Sequence, residues 1–142
     1  MKPIRQTIHF DKKLIDKDAQ KVVKTLNKAG YETYLVGGCI RDLLLGHKPK
    51  DFDIATSATP EQVHKTFKRS RLIGRRFRLV HIMFSSRKYI EVATFRSGKV
   101  KTASDGSIVR DNLYGTLKED AFRRDFSVNG LYYDIQKSQI ID

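Results

Sequence analysis

Residues 34–53 read YLVGGCIRDLLLGHKPKDFD, and this stretch decides the fold. Tyr34-Leu35-Val36 forms a short apolar strand that breaks at Gly37-Gly38. A helical turn or two carrying Arg41 and Asp42 follows, stops at Gly46, and gives way to a second strand opening with Asp51-Phe52-Asp53. Paired glycines let the backbone approach a phosphate with no Cβ in the way, and a helix that begins there aims N–H groups and its positive dipole end at the anion. Arg41, one turn in, reaches the same phosphates with its charged fork. Residues two apart in a strand share a face, so Asp51 and Asp53 project together while Phe52 and Ile54 turn to the core. Two neighbouring carboxylates repel unless a cation lies between them, and their hard oxygens suit Mg²⁺. The pattern fits a nucleoside triphosphate.

Each half alone has an ordinary reading. A Gly-Gly before a helix is commonly a tight turn, and Asp-x-Asp is commonly a solvated strand end. The joint spacing, GG-x-x-RD-x-x-x-G-x-x-x-x-D-x-D in a strand-helix-strand frame, is far more specific.

Upstream, Ala19, Val22, Val23, Leu26 and Ala29 recur at helical spacing and Gly30 follows as a stop, which predicts a helix over 18–29. Residues 1–15 show no firm pattern and read as an arm or lead-in. Downstream, Thr59 is an N-cap with Pro60 at the first helical position, starting a helix to about Lys68. RFRLVHIMF (76–84) and KYIEVATF (88–95) read as a hairpin joined at 85–87. On its second strand Tyr89, Glu91, Ala93 and Phe95 share one face, and Ile90 and Val92 the other. Glu91 is either an exposed strand residue paired with an arginine or, if its strand lies beside Asp51 and Asp53, a third carboxylate at the metal site. His81 reads as a packed residue. Residues 97–112, SGKVKTASDGSIVRDN, lack periodicity and read as a loop. Thr116 and Glu119 stand at capping-box spacing before a helix through Ala121 and Phe122; Arg123-Arg124-Asp125 then interrupt with charge. The end of the chain reads as strand, turn at 136–139, strand.

Composition narrows the class. With 142 residues, 39% hydrophobic and 31% charged, the chain is a globular type with no run long enough to span a membrane. The charged N-terminus does not read as a secretory signal. The single cysteine, Cys39, makes no internal disulfide, which suits a reducing cytoplasm, and reads as a small buried filler rather than a reactive thiol. Lys plus Arg number 28 against 16 acids, a net charge of +12, and residues 61–101 hold twelve basic residues against two acidic ones. An excess this lopsided points to a polyanion, with RNA or DNA ahead of a membrane surface.

From residue 34 onward the chain resembles the nucleotidyltransferase head of bacterial poly(A) polymerases and of the related CCA-adding enzymes. The resemblance rests on GG-x-x-RD and D-x-D, on GRRFRLVHIMF with IEVATFR, and on DNLYGTLKEDAFRRDFSVNGLYY; the second motif lies closer to the poly(A) polymerase branch. It implies an α+β polymerase-β-like head, a mixed sheet flanked by helices, spanning 31–142 behind an arm and lead-in helix at 1–30. It places Asp51 and Asp53 on the family's metal-binding pair, Asp125 on a third catalytic acid, Glu91 on a motif acid, Arg124 on a nucleotide contact, and Gly37, Gly38 and Arg41 on the triphosphate cradle. The implied reaction is template-independent, two-metal transfer of AMP from ATP to an RNA 3′-hydroxyl with release of pyrophosphate, the chemistry of RNA polyadenylation. A CCA-adding head is the alternative within the fold, and a non-catalytic basic RNA-binding module the alternative outside it. Two departures stand out. The loop at 97–110 is shorter and less Gly-rich than the family's, and the sequence ends before the neck domain with which the family selects its base. Oligomeric state is not legible.

Overall fold

The registers of one mixed sheet set out the molecule. The computed structural model describes residues 4–75, 78–97, 101–102, 108–110, 114–123 and 130–142. Eight strands lie in the order β1-β10-β9-β2-β3-β6-β5-β4, flanked by helices. They are β1 (Arg5–Thr7), β2 (Thr33–Val36), β3 (Asp53–Thr56), β4 (Ser70–Ile73), β5 (Leu79–Met83), β6 (Tyr89–Thr94), β9 (Tyr132–Asp134) and β10 (Gln139–Ile141). The short strands β7 (Lys101–Thr102) and β8 (Ile108–Arg110) pair separately. Within the large sheet the β3–β6 pair is parallel and the other pairs are antiparallel. Helix α3 (Pro60–Thr66) leads the chain from β3 towards the hairpin, the long crossover that a parallel pair requires.

Local chemistry sets the helix ends. Helix α1 (Lys17–Lys28) starts at the Asp16 cap, whose carboxylate accepts from the N–H groups of Asp18 and Ala19, and the chain turns away at Gly30 with φ 96°. Thr59 and Gln62 cap α3 reciprocally, with Pro60 in the first turn. Thr116 and Glu119 do the same for α4 (Leu117–Arg123): Glu119 N–H donates to Thr116 Oγ1 at 3.2 Å and Thr116 N–H to Glu119 Oε1 at 3.1 Å.

Strand alternation divides the core into two layers. Leu35, Ile54, Val80, Val92 and Tyr133 face α1, α2 (Gly38–Leu44) and α3, burying Val22, Leu26, Ile40 and Val63. On the other face Tyr34, Val36, Ala55, Phe95 and Tyr132 pack with Leu117 of α4. The second layer is aromatic: Tyr34 lies 6.2 Å from both Phe95 and Tyr132 between ring centroids. Asp120 is buried beneath it, accepting from Arg96 N–H at 2.9 Å and from the Tyr132 hydroxyl.

Several expectations need correction. Residues 1–15 include an edge strand, β1, paired with β10 through Arg5↔Ile141, and a 3-10 turn at Lys12–Leu14. The α3 helix stops at Thr66 rather than Lys68, and β4, which the sequence reading did not separate, adds a strand outside the hairpin. The stretch at 97–112 is not all loop, since β7 and β8 pair within it.

Candidate active site

The chain leaves β2 at Val36 and turns through Gly37 into α2. At Gly37 φ is 82° and ψ is −150°, a conformation essentially restricted to glycine. Val36 pairs with Asp53 across the β2–β3 ladder, so this turn lies beside the first residue of β3. A Cβ on Gly37 would sit 3.7 Å from Asp53 Oδ2, and one on Gly38 would sit 4.0 Å from an Arg41 guanidinium nitrogen. The Asp53 carboxylate and the Arg41 guanidinium thus both come close to the glycine pair. Helix α2 ends where Gly46 takes φ 74°, and the chain returns through His47, Lys48 and Lys50 to Asp51.

A pocket of about 460 Å³ is lined by Gly38, Cys39, Asp42, His47, Lys48, Lys50, Asp51 and Asp53. Gly38 and the acid pair therefore share one cavity, which Gly37 and Arg41 do not line. Asp51 and Asp53 are exposed while Phe52 and Ile54 are buried, so the expected alternation is observed. The boundary differs: β3 begins at Asp53, and Asp51 precedes it, because the β2 partner ends at Val36 where the chain turns off at Gly37. The two acids meet the demands of Mg²⁺, which takes one or two carboxylates and fills its shell with substrate phosphates and water. Lys48 and Lys50 add positive charge for a triphosphate. They fall on unspecified positions of the motif, and the sequence reading passed over them; the available signal was Lys-Pro-Lys, with Pro49 buried and both lysines exposed.

Arg41 is largely exposed, with Nε 4.0 Å from Asp42 Oδ1. Cys39 is buried and its Sγ donates to the Val36 carbonyl at 3.2 Å; burial, reinforced by the nearby Asp53 and Asp42 charges, pushes its thiol up to about 12. It is a filler, as its surroundings imply.

Glu91 pairs in register with Asp53 on the parallel β3–β6 ladder, so its strand does lie beside the acid pair. Its carboxylate is engaged elsewhere: Oε1 lies 3.2 Å from His81 Nε2, and Glu91 does not line the pocket. Among the described residues no three His, Cys, Asp or Glu groups are placed to hold one metal ion. Arg124 and Asp125 lie outside the described residues, directly after α4.

Of the basic residues in 61–101, Arg78 pairs with Glu61 at 3.2 Å. Lys88 reaches Asp16 at 2.7 Å and Asp18 at 2.6 Å, tying the hairpin to the start of α1. Lys65, Lys68, Arg69, Arg71, Arg75 and Arg87 are exposed. No helix among the described residues is long and apolar enough to cross a membrane.

The mixed sheet has the fold of a nucleotidyltransferase head, which solved structures share. The crystal structure of the Bacillus stearothermophilus CCA-adding enzyme in complex with CTP superposes with a TM-score of 0.64 at 36% identity, over 87% of this chain and 28% of that one. The family described as the poly A polymerase head domain matches residues 33–142, and the chain belongs to it. Poly(A) polymerase I of Salmonella typhi is 51% identical over 97% of the chain, and the CCA-adding enzyme of Enterococcus faecalis is 38% identical over 89%. The chain spans about a third of the length of these relatives, 31% and 30% respectively.

Proposed function

We propose that the chain is the catalytic head of a template-independent polynucleotide adenylyltransferase, adding AMP from ATP to RNA 3′-hydroxyls. Residues 31–142 make up the head, closed by the strand and helix of 1–30, in a reducing cytoplasmic setting that suits the lone buried Cys39. The observation that carries the reading is the placement of the Asp53 carboxylate at the glycine turn, 3.7 Å from where a Gly37 Cβ would stand, with Asp51 in the same pocket. A cradle for phosphates and a pair of hard acids have no reason to share a cavity in a module that only binds RNA.

In this reading Gly37 and Gly38 admit the triphosphate close to the backbone, and Arg41, Lys48 and Lys50 offset its charge as it moves to the leaving group. Asp51 and Asp53 hold Mg²⁺, which when bound lowers the pKa of the attacking hydroxyl and stabilises charge on the phosphates. Asp125 is the third acid and Arg124 a nucleotide contact. Glu91 orients the neighbouring side chains beside Asp53. The exposed basic residues of β4 and of the segment before it hold the RNA backbone, so affinity falls steeply with salt.

The higher identity to poly(A) polymerase I, 51% against 38%, favours AMP addition over CCA addition. Offering the full-length protein ATP or CTP, with an unstructured RNA or a transfer RNA lacking its tail, tests this. AMP should be added to unstructured RNA; efficient CTP incorporation overturns the polyadenylation reading in favour of the CCA one.

A further inference from the structure

The sheet face that carries Asp53 continues across β6 and β5 to the edge strand β4, and there it presents a group that the phosphate chemistry leaves unused. The registers set Arg71, His81, Glu91 and Asp53 in one row over four strands. Tyr89, two residues before Glu91, shares that face. Its ring stacks on His81 with centroids 4.1 Å apart and planes 16° from parallel, and His81 Nε2 is held 3.2 Å from Glu91 Oε1. His81 is mostly covered, whereas Tyr89 is 51% exposed. His81 on the neighbouring strand thus covers one face of the Tyr89 ring while about half of Tyr89 stays open to solvent, which makes it a flat contact held in place. Arg69 and Arg71 are exposed beside it, on the segment entering β4 and on β4 itself.

Strand order gives the platform its direction. Glycine cradle and helix α2 follow β2, the acids are on and before β3, and Tyr89 and His81 are on β6 and β5. The acids therefore stand between cradle and platform. In-line displacement at a phosphate brings the attacking oxygen from the side opposite the leaving pyrophosphate. The cradle side takes the triphosphate, so the platform side is where the nucleophile enters. Adjacent strands lie about 4.8 Å apart, which keeps a base resting on β6 close to the acids on β3.

We propose that Tyr89, backed by His81 and fixed through Glu91, is a stacking platform for the base of the 3′-terminal nucleotide of single-stranded RNA, with Arg69 and Arg71 taking the phosphates behind it. This rests on the transfer reading and names the nucleophile subsite within it.

The test measures binding of a 5′-labelled short oligoadenylate to the full-length protein without ATP or metal, so that activity is not needed. Tyr89→Ala weakens binding roughly 5- to 150-fold, the range for losing one base–aromatic stack, and Tyr89→Phe stays within about twofold. His81→Ala gives a smaller loss, because the ring stacked beside it is no longer held. ATP affinity is unchanged in all three. An oligonucleotide whose 3′-terminal residue is abasic binds the wild type as weakly as Tyr89→Ala binds the intact one, and loses nothing further in that variant. Wild-type affinity in Tyr89→Ala, equal losses in Phe and Ala variants, additive losses with the abasic end, or a loss confined to ATP would each overturn the platform and leave the transfer reading standing. Failure of the wild type to bind RNA at low salt would overturn the RNA reading as well.

Discussion

The two faces of the sheet are built to different ends. The face under α1, α2 and α3 is mainly aliphatic and closed, with Leu26, Leu35, Ile40, Ile54 and Val63 all at 1% exposure or less and Tyr133 and Phe52 packed among them. The opposite face is aromatic and mixed: Tyr34, Phe95 and Tyr132 pack together, the Tyr132 hydroxyl donates to the buried Asp120 carboxylate, and the same surface then opens to Asp53, Glu91 and Tyr89. Hydrocarbon layers gain stability in proportion to the area they bury, with no demand on direction. A layer that must aim carboxylates at a ligand needs directional hydrogen bonds, and each one buried is costly to leave unmet. The closed face therefore makes the sheet rigid, and the open face spends that rigidity on placement.

Leu26→Ala tests the closed face. It should cost about 4 kcal/mol, within the 2–5 kcal/mol span for such cavities, seen as a lower denaturation midpoint while the transfer rate per folded molecule stays near wild type. Asp120→Ala tests the open face: it strips the acceptor from Arg96 N–H and the Tyr132 hydroxyl, should cost about 3 kcal/mol, and should lower activity per folded molecule as well. Equal effects of the two on activity would erase the distinction between the faces. Gly37→Ala comes next, at about 2 kcal/mol, because φ 82° with ψ −150° strains any side-chain-bearing residue even though 3.7 Å leaves room for the methyl. Its loss of ATP affinity should exceed its loss of stability.

The smallest effect belongs to the clamp between the hairpin and α1. Burial raises the Asp16 carboxyl, but hydrogen bonds from Lys88 and from the N–H groups of Ala19 and Asp18 outweigh it and hold Asp16 below its ordinary 3.8; Asp16 and Asp18 in turn hold Lys88 above 10.5. A lowered acid contributes above its unfolded value and loses that contribution as pH falls through its folded one. A raised lysine contributes below its unfolded value and loses that as pH rises through its folded one. Lys88→Met should thus cost under about 1 kcal/mol, since the pair is partly exposed. The deficit should be flat between 3.8 and 10.5 and shrink outside that window in denaturation curves taken across pH.

Much of this was legible from residues 34–53, because the glycine turn and the alternation at 51–54 depend on neighbours in the chain. The Thr59 cap with Pro60 behind it and the capping box at Thr116 were legible for the same reason. What escaped depended on distant partners. Strand β1 exists because β10 offers an edge, and Ser70–Ile73 is a strand because β5 does; neither segment carries a pattern of its own. Asp120 reads as one more surface acid in a charged helix, and distant partners, the Arg96 N–H and the Tyr132 hydroxyl arriving from β9, make it a buried anchor. Glu91 stayed open until strand order placed β6 against β3, which put it level with Asp53 and also handed its carboxylate to His81.

The most direct measurement is Mg²⁺-dependent AMP transfer by the full-length protein carrying Asp51→Asn or Asp53→Asn. Each variant should lose more than about 100-fold in rate, beyond what altering an outer-shell group costs, while thermal stability and RNA affinity are kept. Transfer within tenfold of wild type in both variants would contradict that expectation.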